Sequence, residues 1–414
     1  MKTIVPEGYQ ETKLGFVPKD WNIVKLRDIA TKCTKKNTDE SITTVFSNSA
    51  VNGIVLQNEY FDKDIAQQGN LDGYYIVESG DFVYNPRISN NAPAGPINRN
   101  LHTQTGVVSP LYTVFRSKSN EQTNFLEHFF KSTKWLKYMM SIANYGARHD
   151  RMNVTSDDFF DMPIPMPKDQ EQTKIAQILT TWDEVIVKQE KLIKEKEQLK
   201  KGLMQKLLSG EIHFNGFDDE WQEIKLKDIL TEHGTKSDGK CEVHSVSVAK
   251  GLINQIEHLG RSYAAEDTSN YNLIKPFDIV YTKSPTGNFP YGIVKQNLNC
   301  YSGIVSPLYG VFTPKNEFIG YILHLFFESP IRTGNYLGPI VQKGAKNTMS
   351  ITNKTFLSKS IKLPRNEEEQ EKIVQLLKAM TKEVELLQQE LKELKLQKKA
   401  LMQKLLTGQA RVKV

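Results

Sequence analysis

The feature that most constrains this chain is a long helical pattern that it contains twice. Leu203-Met204-Gln205-Lys206-Leu207-Leu208-Ser209-Gly210 returns as Leu401-Met402-Gln403-Lys404-Leu405-Leu406-Thr407-Gly408. Neither copy contains proline, and the one glycine ahead of each closing glycine is Gly202. Both therefore read as long helices stopped by glycine. In the second copy Ile373, Leu377, Met380, Val384, Leu387, Leu391, Leu394, Leu401 and Leu405 follow a heptad broken by Lys398. The first copy keeps that register at Ile175, Leu179, Trp182, Ile186, Ile193, Leu203 and Leu207, with Gln189, Lys196 and Lys200 as polar interruptions. Such spacing predicts two coiled-coil seams built to face each other. About 38 residues at 1.5 Å each make a rod of roughly 57 Å, which is more than a cap on a small core requires.

The repeat extends beyond the helices. Trp21-Asn22-Ile23-Val24-Lys25-Leu26-Arg27-Asp28-Ile29 matches Trp221-Gln222-Glu223-Ile224-Lys225-Leu226-Lys227-Asp228-Ile229, and each opens a domain. Ser47, Ser49 and Gly53 recur as Ser245, Ser247 and Gly251, a polar strand end leading into a glycine turn. Asp81-Phe82-Val83-Tyr84 recurs as Asp278-Ile279-Val280-Tyr281, and Gly106-Val107-Val108-Ser109-Pro110-Leu111-Tyr112 as Gly303-Ile304-Val305-Ser306-Pro307-Leu308-Tyr309. These are short strands bounded by glycine and proline. Phe125 to Tyr138 and Phe318 to Phe327 read as amphipathic helices. Each copy closes on a proline-marked strand, Ile164-Pro165-Met166-Pro167 or Ile361-Lys362-Leu363-Pro364, before the long helix begins. A repeat of this length means duplicated domains and not a solenoid. The expected fold class is α+β, a mixed α/β globule occurring twice, each followed by a long helix.

The chain has 414 residues and 39% apolar content, enough for real cores in ordinary globular domains. Its start lacks a secretory core segment, and the longest apolar run, Phe318 to Phe327, is too short to span a bilayer. A cytoplasmic protein with no membrane partner is expected. Cys33, Cys241 and Cys300 show no paired metal-ligand spacing and read as reduced thiols. The net charge of +6 is spread along the chain with no strongly basic segment, so any nucleic-acid surface must be arranged locally.

Between the matched strands the copies diverge. From Asn85 to Asn100 the first copy carries a polar loop that shares little sequence with Thr282 to Tyr291 of the second. A duplicated frame with divergent polar loops suggests two related readers of two targets. The paired Trp21 and Trp221 openings, the Gly-Asp-Phe-Val and Phe-Asp-Ile-Val strands, the Pro-Met-Pro and Leu-Pro closings, and the two Leu-Met-Gln-Lys-Leu-Leu ends occur twice in one order. In that ordered set the whole chain resembles the DNA-specificity subunits of type I restriction-modification systems.

The resemblance implies two target recognition domains, residues 1–168 and 210–366, each reading one half of a bipartite site in double-stranded DNA. It implies spacer helices at 169–209 and 367–408, packed antiparallel as an intramolecular coiled coil, followed by a tail at 409–414. It further implies docking of two methyltransferase subunits and, in the full complex, restriction subunits with translocase and nuclease activity. On this reading the chain is a non-catalytic subunit with no cofactor and no metal of its own.

The residues agree with a non-enzyme. An amino-methyltransferase loop would need a second proline and an aromatic that Asn85-Pro86-Arg87-Ile88 lacks, and no nucleotide-binding glycine loop or His-Glu-x-x-His occurs. Asp157, Asp158 and Asp161 have no matching carboxylate set in the second copy and read as an acidic surface turn. The competing class is a coiled-coil scaffold with two protein-binding globules, which accounts for the helices but not for the divergent loops. Bases are read by Arg, Lys, Asn, Gln and Ser, and phosphates by Lys, Arg and backbone amides. The DNA-contact candidates in the first domain are therefore Ser47, Ser49, Asn52, Arg87, Asn90, Arg99, Arg148, His149 and Arg151. In the second they are Ser245, Ser247, Lys250, Lys283, Asn288, Tyr291, Lys343, Lys346 and Asn347.

Overall fold

The structure is a computed structural model, and it describes residues 5–60, 71–143, 150–237, 239–343 and 349–413. The chain divides into two compact units, Met1–Glu190 with Gln389–Val414, and Lys191–Gln388. The division runs through the middle of both long helices, whereas the sequence-based boundaries assign each helix whole. Each unit thus holds one globule, the start of the helix that follows it and the end of the other helix.

In the first unit a four-stranded antiparallel sheet runs in the order Ala30–Cys33, Thr113–Ser117, Phe82–Tyr84, Ile97–Arg99. The second unit repeats it with Leu230–Glu232, Gly310–Pro314, Ile279–Tyr281 and Val294–Gln296. One face of each sheet is covered by a helix, Asn120–Lys131 or Glu317–Phe327. Under the first, Phe82 and Phe115 stack at 5.2 Å, and Phe130 meets both edge-on at 5.6 and 5.7 Å. Under the second, Phe312 and Tyr281 stack on Phe356 at 5.2 and 4.8 Å. Phe115 and Phe312 lie at equivalent places in the two sheets, so both cores are built around an aromatic at this position.

The buried Asp81 and Asp278 have a structural task. Each carboxylate accepts a backbone N–H three residues upstream, from Glu78 at 2.8 Å and from Lys275 at 2.7 Å. Its remaining oxygen is met by Arg116 at 2.6 Å in one copy and by Thr313 at 2.7 Å in the other, where His233 adds a contact at 2.9 Å. The opening and closing strands of each globule pair with one another, Asn22–Lys25 with Pro163–Met166 and Gln222–Lys225 with Ser360–Leu363.

One expectation needs correction. Phe125 to Tyr138 is not one helix but the ends of two, Asn120–Lys131 and Leu136–Ile142. The Ser132 hydroxyl donates to Phe129 O at 2.6 Å and the Trp135 indole to Phe130 O at 2.9 Å, so side chains take carbonyls that a continuing helix would use.

The long helices run Asp169–Leu207 and Glu367–Leu405. Both stop at a glycine with φ of 67°, Gly210 and Gly408, in the left-handed region that favours glycine. Every apolar seam position named above is buried or half-buried. Three of the four polar interruptions are partnered across the seam. In the first unit Gln189 donates to Glu390 at 3.0 Å, and Lys398 pairs with Asp183. In the second, Lys196 pairs with Glu383 at 2.6 Å. Within each unit lower numbers on one helix meet higher numbers on the other, so the seam is antiparallel.

Each helix end returns to a tryptophan. Leu405 and Leu406 join the first core and Gly408 lies against Trp21, whose indole donates to the buried Glu171 at 3.3 Å. Arg411 grips Glu171 at 2.7 Å and Asp20 at 2.7 Å. In the second unit Leu207 and Leu208 pack with Trp221, whose indole donates to Glu369 at 3.1 Å, with His213 in the place of Arg411.

Candidate functional site

Polar residues gather at one end of each sheet, where Tyr84 or Tyr281 leads into the divergent loop. In the first unit that loop turns back on a bridge between Ser89 and Ala92, and in the second on one between Thr286 and Phe289. The loops differ in sequence yet turn back on an equivalent bridge, although the second is left-handed at Lys283 and Gly287 where the first has Pro86 and Asn90. Gly95 and Gly292 make the return possible, with φ of 78° and 96°. A Cβ at Gly95 would collide with Asn85 O, and one at Gly292 would lie 2.8 Å from Lys283 N. Both glycines stand at the same distance along the chain from Tyr84 and Tyr281, a signal that was legible in the repeat and overlooked.

In the first unit a buried asparagine locks the surrounding pieces together. Asn48 donates to Val83 O at 2.6 Å and Pro96 O at 3.1 Å, and accepts from Asn98 at 2.7 Å. Asn85 donates to Asn48 O at 3.0 Å and to the Tyr112 hydroxyl at 3.2 Å. The hairpin of Phe46–Ser49 and Gly53–Leu56, the loop after Tyr84 and the Ser109–Tyr112 turn are thereby fixed against one another. Sequence reasoning missed Asn48, Asn85 and Asn98, because an isolated asparagine reads as a turn residue until its neighbours in space are known.

Of the first-domain candidates, Arg87 and Arg151 are brought together. They form an antiparallel bridge, Ile88 N donates to Asp150 O at 3.0 Å and Met152 N to Pro86 O at 2.9 Å. Asp150 lies between the guanidinium groups, 3.6 Å from Arg87 and 3.8 Å from Arg151. Asn52 and Asn90 are exposed on neighbouring turns. Ser47 and Ser49 are buried, and the Ser49 hydroxyl accepts Asn52 N at 3.2 Å, so they shape the turn. Arg99 sits at the far end of the hairpin, opposite Phe82, and is held by Asn124 at 2.8 Å and Glu127 at 3.2 Å. Arg148 and His149 lie outside the described residues.

In the second unit Lys250 and Asn288 are exposed, while Ser245 and Ser247 are half-buried in the His244–Ser247 strand. Lys283 is half-buried, with a left-handed backbone at φ of 61° that is unusual for a side chain of its size. Burial holds its amine below the ordinary lysine range, and Glu232 opposes that shift. Tyr291 packs on the core beside Gly338. Lys343 belongs to a short strand paired with Met349–Ser350, and Lys346 and Asn347 lie outside the described residues. No equivalent of the asparagine lock exists here: Val246 replaces Asn48, Thr282 replaces Asn85, and Lys295 in the place of Asn98 pairs with Glu328 at 2.8 Å.

The acidic residues Asp157 and Asp161 are engaged by Arg27, at 3.5 and 2.6 Å, and Asp161 also by Lys25 at 3.2 Å. The arrangement offers cations, amides and amide side chains on a rigid frame, which suits recognition of a polyanion bearing hydrogen-bonding edges.

Residues 18–201 and 218–396 each match the family described as the type I restriction modification DNA specificity domain. The chain is 23% identical over 438 residues to the type I restriction enzyme MjaVIII specificity subunit of Methanocaldococcus jannaschii, covering 98% of this chain and 97% of that protein. Its fold is similar to the crystal structure of the HsdS subunit from Thermoanaerobacter tengcongensis, with a TM-score of 0.50 and 18% identity, covering 95% of this chain and 98% of that one. It is also similar to the type I restriction-modification S subunit from M. genitalium, with a TM-score of 0.53 and 13% identity over 98% of both chains.

Proposed function

The chain belongs to the family of type I restriction-modification DNA specificity domains, of which it carries two, and from that premise we propose that each globule reads one half of a bipartite site in duplex DNA. The observation that carries this reading is the loop end of the two sheets, where the strand order, the turn-back bridge and the return glycine are repeated and the loop side chains are not. One frame with two sets of polar groups is what two different half-sites require. The long helices set the distance between the half-sites, and the chain itself is non-catalytic.

The helices also dock two methyltransferase subunits, to which restriction subunits add in the full complex. Support comes from the duplication, since two related helices packed antiparallel offer two similar docking surfaces. Val187, Leu199, Leu386 and Leu396 are exposed on these helices and supply apolar contact area. The testing experiment exchanges residues 21–168 for the equivalent domain of a relative and maps methylated sites in cells that supply the partner subunits. One half of the site should change while the other stays intact. A change in both halves would show that the domains read DNA jointly, and sites unaffected by the exchange would refute the reading.

A further inference from the structure

Among the described residues, two pairs of equivalent positions expose a leucine in both copies: Leu101 with Leu298, and Leu111 with Leu308. Single exposed leucines are ordinary. Leu111 and Leu308, at 55% and 74% exposure, are unlike the rest in where they stand. Each is the third residue of a Ser-Pro-Leu-Tyr turn at the loop end of its sheet, beside the polar loop proposed to read DNA.

Both turns are built alike and held rigidly. Tyr112 N donates to Ser109 O at 2.9 Å and Tyr309 N to Ser306 O at 3.1 Å. The serine hydroxyl accepts the leucine N–H at 3.3 Å in each. Proline at the second position presets the bend. The tyrosine is anchored on either side of the duplication, Tyr112 by Asn85 at 3.2 Å and Tyr309 through its carbonyl by Asn272 at 3.0 Å. An apolar tip is thus presented on a preorganised turn. Its surroundings are polar with a cationic excess: Leu308 shares a concavity with Lys283 and Lys354 against one carboxylate, Glu232, and Leu111 adjoins Tyr112, whose hydroxyl is held by Asn85, two residues before the exposed Arg87.

We propose that Leu111 and Leu308 are wedges, one for each half-site, that enter the base stack from the groove and support opening of the step at which the partner methyltransferase works. The proposal rests on the DNA-reading function given above. Charge complementarity with phosphate selects a nucleic acid as the occupant, and the chemistry of the tip selects the stack. The same residue beside two different reading loops points to a contact that does not depend on the sequence of the half-site. Apolar side chains that insert at base steps are a known means of unstacking DNA, and enzymes that modify a base extrude it from the duplex.

The test uses the complex of the full chain with its methyltransferase subunits and two forms of a duplex carrying the mapped site, unsubstituted for methylation and with 2-aminopurine at the methylated position of one half-site or the other for fluorescence. The wild-type complex should raise 2-aminopurine fluorescence in both halves. Leu111→Ala should abolish the rise and slow methylation by tenfold or more in the half-site assigned to the first domain alone, and Leu308→Ala in the other half alone. Leu→Met at either position should retain both signals, and thermal midpoints should not move, because these side chains are exposed. Wild-type fluorescence and methylation in both Ala variants would overturn the wedge while leaving the reading function intact. Weaker binding with undiminished fluorescence would also overturn it, in favour of plain surface contact. If the wild-type complex fails to bind the bipartite site, the reading function and the wedge fall together.

Discussion

At the scale of single residues, the clearest cationic pair for DNA contact is Arg87 with Arg151, which the fold joins from distant parts of the chain. Replacing both with alanine should weaken DNA binding by about tenfold and lower the slope of log K against log salt by roughly 2, one for each phosphate no longer neutralised. The thermal midpoint should stay within about 2 °C, since Arg87 is exposed and both arginines make only long ion pairs with the half-exposed Asp150, at 3.6 and 3.8 Å. Full-strength binding in a salt titration would show that these arginines do not touch DNA. Their residue types were legible in the sequence, but their proximity was not, because a bridge between residues 87 and 151 leaves no local periodicity. His128 is a second such case. It is buried beneath the long helix, with its ring 3.1 Å from Thr180, and burial followed by the charge of Lys131 lowers its pKa from 6.5 to about 4. Glu127, Asp183 and Lys398 also act on it. The unfolded chain therefore binds more protons between about pH 6.5 and pH 4, so stability is lost as pH falls through that window, by up to about 3 kcal/mol. The second copy has Leu325 at this position. His128→Leu should flatten the fall in thermal midpoint between pH 7 and pH 4.5, and an unchanged slope would contradict the assignment.

At the scale of elements, the long helices were the most legible part of the chain, since a heptad repeated in two copies and ended by glycine leaves few alternatives. The helix covering the first sheet was less so, because Ser132 and Trp135 end it through hydrogen bonds that the hydrophobic pattern does not reveal. Lys398 was legible as a break in the seam, and the structure gives the reason for it. It pairs with Asp183 of the facing helix, and Asp183 also lies 3.9 Å from Lys131 and from the His128 ring. Lys398→Ala removes the main partner of a half-buried carboxylate and should cost about 1–2 kcal/mol. Replacing Asp183 and Lys398 together with leucine should restore or exceed wild-type stability, because an apolar pair fills the seam without desolvating charge. Thermal unfolding of the two single variants and the double variant decides this. Additive losses in the double variant would mean that the two residues do not act as a pair.

At the scale of the whole molecule, the duplication and the order of its parts were visible in the sequence, because the matched motifs recur in one order. The division of each helix between two compact units was not visible, since it depends on which globule each helix end packs against. Leu405 and Leu406 belong to the first core although they lie at the end of the second helix. If each globule reads its own half-site, the length of the paired helices fixes the spacing between them, and this is the central claim. The facing segments are bounded by Gln189–Glu390 on one side and Lys196–Glu383 on the other. Deleting Gln189 to Glu195 together with Val384 to Glu390 removes one facing heptad from each helix and keeps the seam in register. The loss shortens the rod by about 10 Å, close to three base-pair steps, and turns one globule about the DNA. The most direct test is to map the sites methylated by a complex carrying this paired deletion. We expect both half-site sequences to persist with an altered spacer, or site recognition to be lost because the new phase cannot be met. A folded variant that still methylates the original site at its original spacing would contradict the account.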